Sequence, residues 1–464
     1  MMSILQRSRP RVVVLATLVL FLVALVVAWS ADLYSRAKVR QVLDEHAADG
    51  PFDFADHIPP KLPPGVANGT DYLEAAALLM DGQDLTYPPP EGSPDAELVS
   101  LVVRFGELDA ARVRPTGSDV ATFRHLVERF DLPLTILDRG FERATDARYR
   151  TNYDSPPFEI FIPNVVNRVR MAHLLRARGE VAIADGRAGD AWGDAARIVR
   201  IAHWTSREMS MVVNQLIARS VAEQADHLIR SLLAEAPAEA VIRRQVHDEL
   251  ERLDPAAQLA RALDTERAVA WSSLRDPRID AASMVPMING KTSRFHQALA
   301  GWRPWVRWNA ARYLEVVTPQ YERCKADDDA ETGAWHTELR WVPLARAQLG
   351  SCSDLVRKAR AWRVALDQAA LAEALEVART REGSYPEQLG ELAAGFTDPF
   401  SGKSYGYARD GSGYRLWSVG TDREDDGGRP HSPAPSPLIS GPDDGDLVWR
   451  VIPPDGATGA VVDG

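Results

Sequence analysis

From Val12 to Ala31 the chain reads VVVLATLVLFLVALVVAWSA, without one charged residue. At ~1.5 Å of rise per residue, a helix over this run covers a ~30 Å hydrocarbon layer. A helix that is apolar on every side has no polar face to offer water, so the run is expected to be a transmembrane signal anchor following a short tail, 1–11. Arg7, Arg9 and Arg11 precede it, and Trp29 stands near its far end, where an indole suits the lipid–water boundary. Arg36, Lys38 and Arg40 balance the upstream arginines, so charge alone does not orient the span. The short tail favours a cytoplasmic N-terminus, which makes the expected product a single-pass inner-membrane protein with a periplasmic body. The competing reading is a cleaved signal peptide, because Ala28 and Ser30 place small residues at the −3 and −1 positions of a cut before Ala31.

The chain has 464 residues, beyond the ~250–300 at which a single core usually stops growing, so more than one packed unit is expected. Hydrophobic residues make up 45% and charged residues 26%, which excludes a wholly disordered or fibrous chain. The formal charge of −11 offers phosphate backbones no general attraction, and no long basic run or aromatic-studded basic stripe occurs. Nucleic acid is therefore not an expected partner. Cys324 and Cys352 belong to no CxxC or metal-ligand spacing. Two readings stand open for them, a disulfide in an oxidising compartment or two separate buried thiols.

After the anchor, 32–69 reads as a short polar juxtamembrane helix and a proline-rich linker, since prolines from Pro51 to Pro64 lack N–H donors and fix φ. Residues 70–353 are expected to form an irregular helical bundle. Asp71 with Glu74 forms a D-x-x-E capping box, and Phe123, Leu126, Val127 and Phe130 recur at helical spacing. Val165–Trp204 divides at Gly186–Gly189 into a hairpin of alanine-rich helices. The string GDAWGDAARIVRIA resembles the second helix of a tetratricopeptide repeat, but the pattern does not recur at the period of such arrays.

The last stretch, 354–464, changes character. Asp354–Glu382 carries a helical stripe through Leu355, Ala359, Trp362, Leu366, Ala370, Ala374 and Val377, closed by Gly383 as a C′ residue. Strand alternation then appears over Ser404–Ala408, Tyr414–Val419 and Leu447–Ile452, with a turn through Asp410–Gly413. The expected fold is mainly α, with a small α+β module of one long helix on a three-stranded antiparallel sheet at the C-terminus. The ordered set GSYPEQLGEL, TDPFSGKSYGYARDGSGYRLWSVGTDREDDGG and DLVWRV resembles the globular part of the type II secretion major pseudopilin family. The resemblance is confined to this module and implies a shared small fold. The segment before Val12 has no glycine and the apolar run no glutamate, so prepilin processing and filament assembly are not implied. The whole layout also resembles bacterial membrane-anchored envelope proteins, which brings no activity with it.

The resemblance implies calcium in the loop after the L-x-S-x-G strand, with Asp422 at the matching position and Asp425 and Asp426 nearby. Carboxylates on a glycine-rich loop can supply the oxygens a Ca²⁺ ion requires; the alternative is a solvated acidic loop. Trp302, Trp305 and Trp308, with Arg303 and Arg307, fall near one helical face that suits sugar rings, a lipid interface, a partner helix or core packing. Ser35-Arg36-Ala37-Lys38 fits S-x-x-K but abuts the anchor and has no S-D-N or K-T-G partner, and the ten histidines form no HExxH. The chain is therefore expected to be a tethered extracytoplasmic scaffold or interaction protein with envelope protein partners. The alternative is an envelope hydrolase acting on glycan or peptide through carboxylates that converge only in the fold.

Overall fold

The computed structural model describes residues 3–49, 52–80, 93–111, 113–149, 153, 166–208, 210–235, 240–275, 302–326, 352–429 and 445–451. The chain is mainly helical and divides into two compact units, each assembled from separated stretches of sequence. The first comprises Met1–His57, Asn152–Ile160 and Asp264–Ser353, and the second Ile58–Thr151, Phe161–Leu263 and Asp354–Gly464.

In the first unit, α1 runs unbroken from Ser3 to Glu45. The separate juxtamembrane helix expected after Ala31 is instead its continuation, because no proline or glycine interrupts residues 32–49. Asp32 pairs with Arg36 at 2.8 Å, one turn on, and Gln41 donates to Glu45 at 2.7 Å. Side chains are described from Phe21 onward; among the described residues no helix is long and apolar enough to cross a membrane. α1 lies against α11 (Arg303–Lys325), to which it is tied by the Asp32–Arg307 and Lys38–Glu315 ion pairs. Within this unit Arg267 is fully buried, held by Asp264 at 2.8 Å and Glu322 at 3.2 Å beneath the ring of Phe52. Phe54 donates its backbone N–H to Ser272 Oγ at 3.0 Å. The start of the proline-rich stretch is thereby fixed in place, although it carries little regular structure.

The second unit is built on the expected hairpin, α6 (Val166–Ala184) and α7 (Ala188–Glu208), with α8 (Val212–Glu235) against both. Small residues allow these helices to close. A Cβ on Gly179 would meet Leu228 Cδ2 at 2.6 Å, and Ala191, Ala195 and Ala202 are fully buried. Around them lie α2 (Gly69–Met80), α3 (Pro94–Ala111), α4 (Gly117–Arg129), α5 (Asp131–Arg143), α9 (Ala240–Glu251) and the start of α10 (Pro255–Arg275). The start of α2 is set by Asn68 rather than Asp71: its Oδ1 accepts the N–H of Thr70 at 3.2 Å while its Nδ2 donates to the Arg148 carbonyl at 2.8 Å. The long-range partner selects the cap, which local spacing alone could not show.

The C-terminal helix, α12 (Cys352–Glu382), and the sheet β1 (Gly406–Asp410), β2 (Gly413–Ser418), β3 (Leu447–Val451) belong largely to this second unit. The sheet is antiparallel in the order β1-β2-β3, with Tyr407 opposite Leu416 and Leu416 opposite Trp449. Gly411 at φ +60° opens the two-residue β1–β2 turn, a position that favours glycine. Trp362, Leu371, Tyr414 and Trp449 join the same hydrophobic core as Leu73, Phe105 and Trp204, so helix and sheet complete the bundle's core instead of sealing one of their own.

Candidate functional site

The C-terminal motifs meet around one carboxylate. Asp398 Oδ1 accepts from the Ser418 hydroxyl at 2.7 Å and the Phe400 N–H at 3.1 Å, and its Oδ2 accepts from the Ser401 hydroxyl at 2.8 Å. Two residues past Ser418, Gly420 at φ +71° lies so close to the Gly445 carbonyl that a Cβ would sit 2.1 Å from its oxygen. Tyr385 donates to Glu376, Tyr405 donates to Asp367 at 2.8 Å, and Tyr407 donates to the Pro386 carbonyl at 2.7 Å. Tyr385 and Tyr405 thereby fasten the chain on either side of Asp398 to α12, Asp398 ties its own loop to β2, and Tyr407 ties β1 to the segment after α12.

In the acidic loop, Asp425 Oδ1 accepts from Trp417 Nε1 and the Gly427 N–H, both at 2.9 Å, and Asp422 Oδ1 accepts from the Glu424 N–H at 3.1 Å. Asp446 Oδ2 accepts from the Gly428 N–H at 2.7 Å. Among the described residues no group of three or more His, Cys, Asp or Glu side chains stands close enough to hold a metal ion. Asp422, Asp425 and Asp426 thus do not stand together as such a group in their described placement. Trp302 caps α11 and is 38% exposed, while Trp305 and Trp308 are half-buried. Cys324 is buried on the same helix; the side chain of Cys352 lies outside the described residues. Ser35 donates its hydroxyl to the Asp32 carbonyl at 2.9 Å and Lys38 pairs with Glu315, so the S-x-x-K pair is committed to structure.

A further cluster of ionisable groups lies elsewhere, on one face of α8 in the second unit. Arg219, Glu223, Asp226, His227 and Arg230 recur there at three- and four-residue spacing. Arg219 pairs with Glu223 at 2.9 Å and Arg230 with Asp226 at 3.0 Å. From α6, Arg176 grips Asp109 of α3 through two hydrogen bonds of 2.6 and 2.8 Å and reaches Gln224 at 3.0 Å, its guanidinium 4.0 Å over the Phe105 ring. His227 Nδ1 stands 3.3 Å from Asp109 Oδ1 with its ring still 31% exposed. Arg230 lies 4.0 Å over Trp449 of β3. α3, α6, α8 and β3 therefore contribute to one cluster of charged and polar side chains.

Its electrostatics separate the groups. Burial pushes Glu223 and Asp226 up despite their arginines, with the charge of Asp109 adding to the rise. Burial would raise Asp109 as well, but the Arg176 hydrogen bonds and charge outweigh it and hold the carboxyl below the usual range. Burial, then the Arg176 charge, lowers His227 to about 3, so its imidazole is neutral at physiological pH. Asp226 Oδ1 is buried with no hydrogen-bond partner among the described residues. Sequence reading passed over this face because its residues come from helices far apart in the chain; the only local signal was the charged stripe on α8 beside the buried Val221, Ala225 and Leu228.

Comparisons of the chain with protein-family models, curated proteins and solved structures found no match.

Proposed function

We propose that the protein is a membrane-anchored extracytoplasmic scaffold or interaction protein with a pseudopilin-like C-terminal module. The observation that supports the tether is α1, on which Phe21, Leu22, Val23, Val26 and Val27 are each more than half exposed, whereas Ser35 and Val42 further along are buried. Leaving side chains of this size in water forgoes ~1.5–3 kcal/mol apiece, which lipid would restore. Support for a non-catalytic body comes from the charged face of α8, where Asp109, Glu223 and Asp226 each pair with an arginine of their own, the arrangement of a structural charge network. The module shares its core with the bundle, so partner capture is tested on the full chain with surface changes rather than truncation. Arg409 and Arg450, both exposed, paired with Glu387 and Asp410 and lying on opposite faces of the sheet, are the positions to reverse. Envelope proteins that crosslink to the wild type and are lost from R409E/R450E would support the scaffold; capture of no envelope protein by the wild type would overturn it.

The second reading is an envelope hydrolase of glycan or peptide, favoured by the exposed His227 edge beside Asp109 with Glu223 and Asp226 close by. Cleavage of envelope glycan or peptide substrates that disappears in both Asp226→Asn and His227→Gln, with melting unchanged, would establish it in place of the scaffold. Calcium at Asp422, Asp425 and Asp426 is likewise a proposal carried by the resemblance, tested by the melting temperature of the full chain at millimolar Ca²⁺ against Mg²⁺. No calcium-specific shift would remove it.

A further inference from the structure

Within the first unit the ion pairs Asp32–Arg307 and Lys38–Glu315 advance in the same direction along both helices, so α1 and α11 run parallel. At ~1.5 Å per residue Trp302 lies ~7.5 Å before Arg307 along α11, which brings it level with the last apolar turn of α1, near Val27 to Trp29. At this level Trp29 is 66% exposed and Trp302 38%, and Tyr34, ~7.5 Å further along α1, is 61% exposed. Every exposed large hydrophobic among the described residues of this unit belongs to this end, from Phe21 to Tyr34 on α1 and Trp302 on α11. Past Arg307 the pattern changes, and Ala310, Ala311, Tyr313, Leu314 and Val317 are fully buried. Arg303 follows Trp302 and is exposed, and Arg36, two residues past Tyr34 and paired with Asp32 at 2.8 Å, is exposed as well.

We propose that the N-terminal end of α11 is a membrane-interface contact. Trp302, with Trp29 and Tyr34, forms an aromatic collar seated among the headgroups of the bilayer that α1 enters, and Arg303 and Arg36 meet the lipid phosphates. The inference rests on the anchor reading above and adds that the folded body itself touches the lipid at a defined level. Lipid is favoured over a partner helix because the collar is continuous with the exposed apolar turns of α1, and because indole and phenol rings combine an apolar body with a polar edge, as the headgroup region requires. Pro304, in the first turn of α11, starts the helix at this level.

The test is photocrosslinking of the full-length protein in vesicles of phosphatidylethanolamine and phosphatidylglycerol. Benzoylphenylalanine is placed in turn at Leu25, Trp302 and Ala326, the last an exposed position ~36 Å along α11 from Trp302 at ~1.5 Å per residue. Each variant is first shown to melt as the wild type does. Lipid adducts at 25 and 302, several-fold above those at 326, are the expected result. Adducts at 25 with none at 302 would overturn the collar and leave the anchor standing. Absence of adducts at 25 would overturn the anchor and the collar with it. Protein crosslinks at 302 in place of lipid would assign the face to a partner helix, and equal lipid adducts at 302 and 326 would show a body lying along the bilayer without a collar.

Discussion

Burial makes His173 sensitive to acid. Its Nδ1 stands 2.8 Å from the Val169 carbonyl, its ring centroid lies 5.8 Å from that of Phe105, and burial lowers it to about 4. A histidine lowered in the folded state takes up its proton first in the unfolded chain, so the stability it contributes is full above its ordinary value near 6.5 and is lost as pH falls toward 4. From this group alone the loss between pH 7 and 5 is about 2 kcal/mol. His203, lowered chiefly by burial to about 4, acts in the same direction. Urea unfolding of the wild type is expected to show the fall, and His173→Gln to flatten it. A second residue-level expectation concerns Arg168 and Glu208, which are buried together and joined by Thr70 and Thr205. Arg168→Met leaves a buried carboxylate without its countercharge and should cost about 3–5 kcal/mol in chemical denaturation. Adding Glu208→Gln should recover part of that loss, because the uncompensated charge goes with it.

At the scale of elements, what local pattern encodes was legible in the sequence. The α6–α7 hairpin, the long α12 and the three strands follow from helical stripes, alternation and glycine punctuation, and each appears within a few residues of its expected bounds. Gly383 ends α12 as the pattern requires, at φ +77° with its N–H on the Arg379 carbonyl at 2.8 Å. Less legible was why the motif residues stand where they do. Gly420 is a point where two backbone segments touch, and that contact is made by Gly445 from another loop. Gly420→Ala therefore combines left-handed strain with a direct clash and should lower stability by about 2–4 kcal/mol, read as a reduced thermal midpoint. Gly179→Ala, which drives a methyl into the buried Leu228, should cost about 1–3 kcal/mol by the same measurement.

For the whole molecule, the distribution of sequence between the units was not legible, because it depends on pairings that no local window contains. Val12–Ala31 reads as an apolar run in isolation, yet nothing in residues 32–45 announces that α1 continues onto α11. Lys38 and Glu315, only 19% and 15% exposed, meet through the fold. Either Lys38→Glu or Glu315→Lys alone should destabilise the first unit by about 1–3 kcal/mol, and the double reversal should restore most of it. The α8 charge cluster was hidden for the same reason: Asp109, Arg176 and His227 belong to three helices whose charges are unremarkable until they are brought together.

The Asp32–Arg307 pair joins residues 275 positions apart. At a synthesis rate of about 5–20 residues per second, α1 would leave the ribosome roughly 14–55 s before the arginine that completes it. During that interval the apolar run from Val12 to Ala31 has been made while the helix on which α1 docks has yet to be translated. Closure of the first unit therefore waits on a segment made late in synthesis, and the timing follows from the order of the residues along the chain.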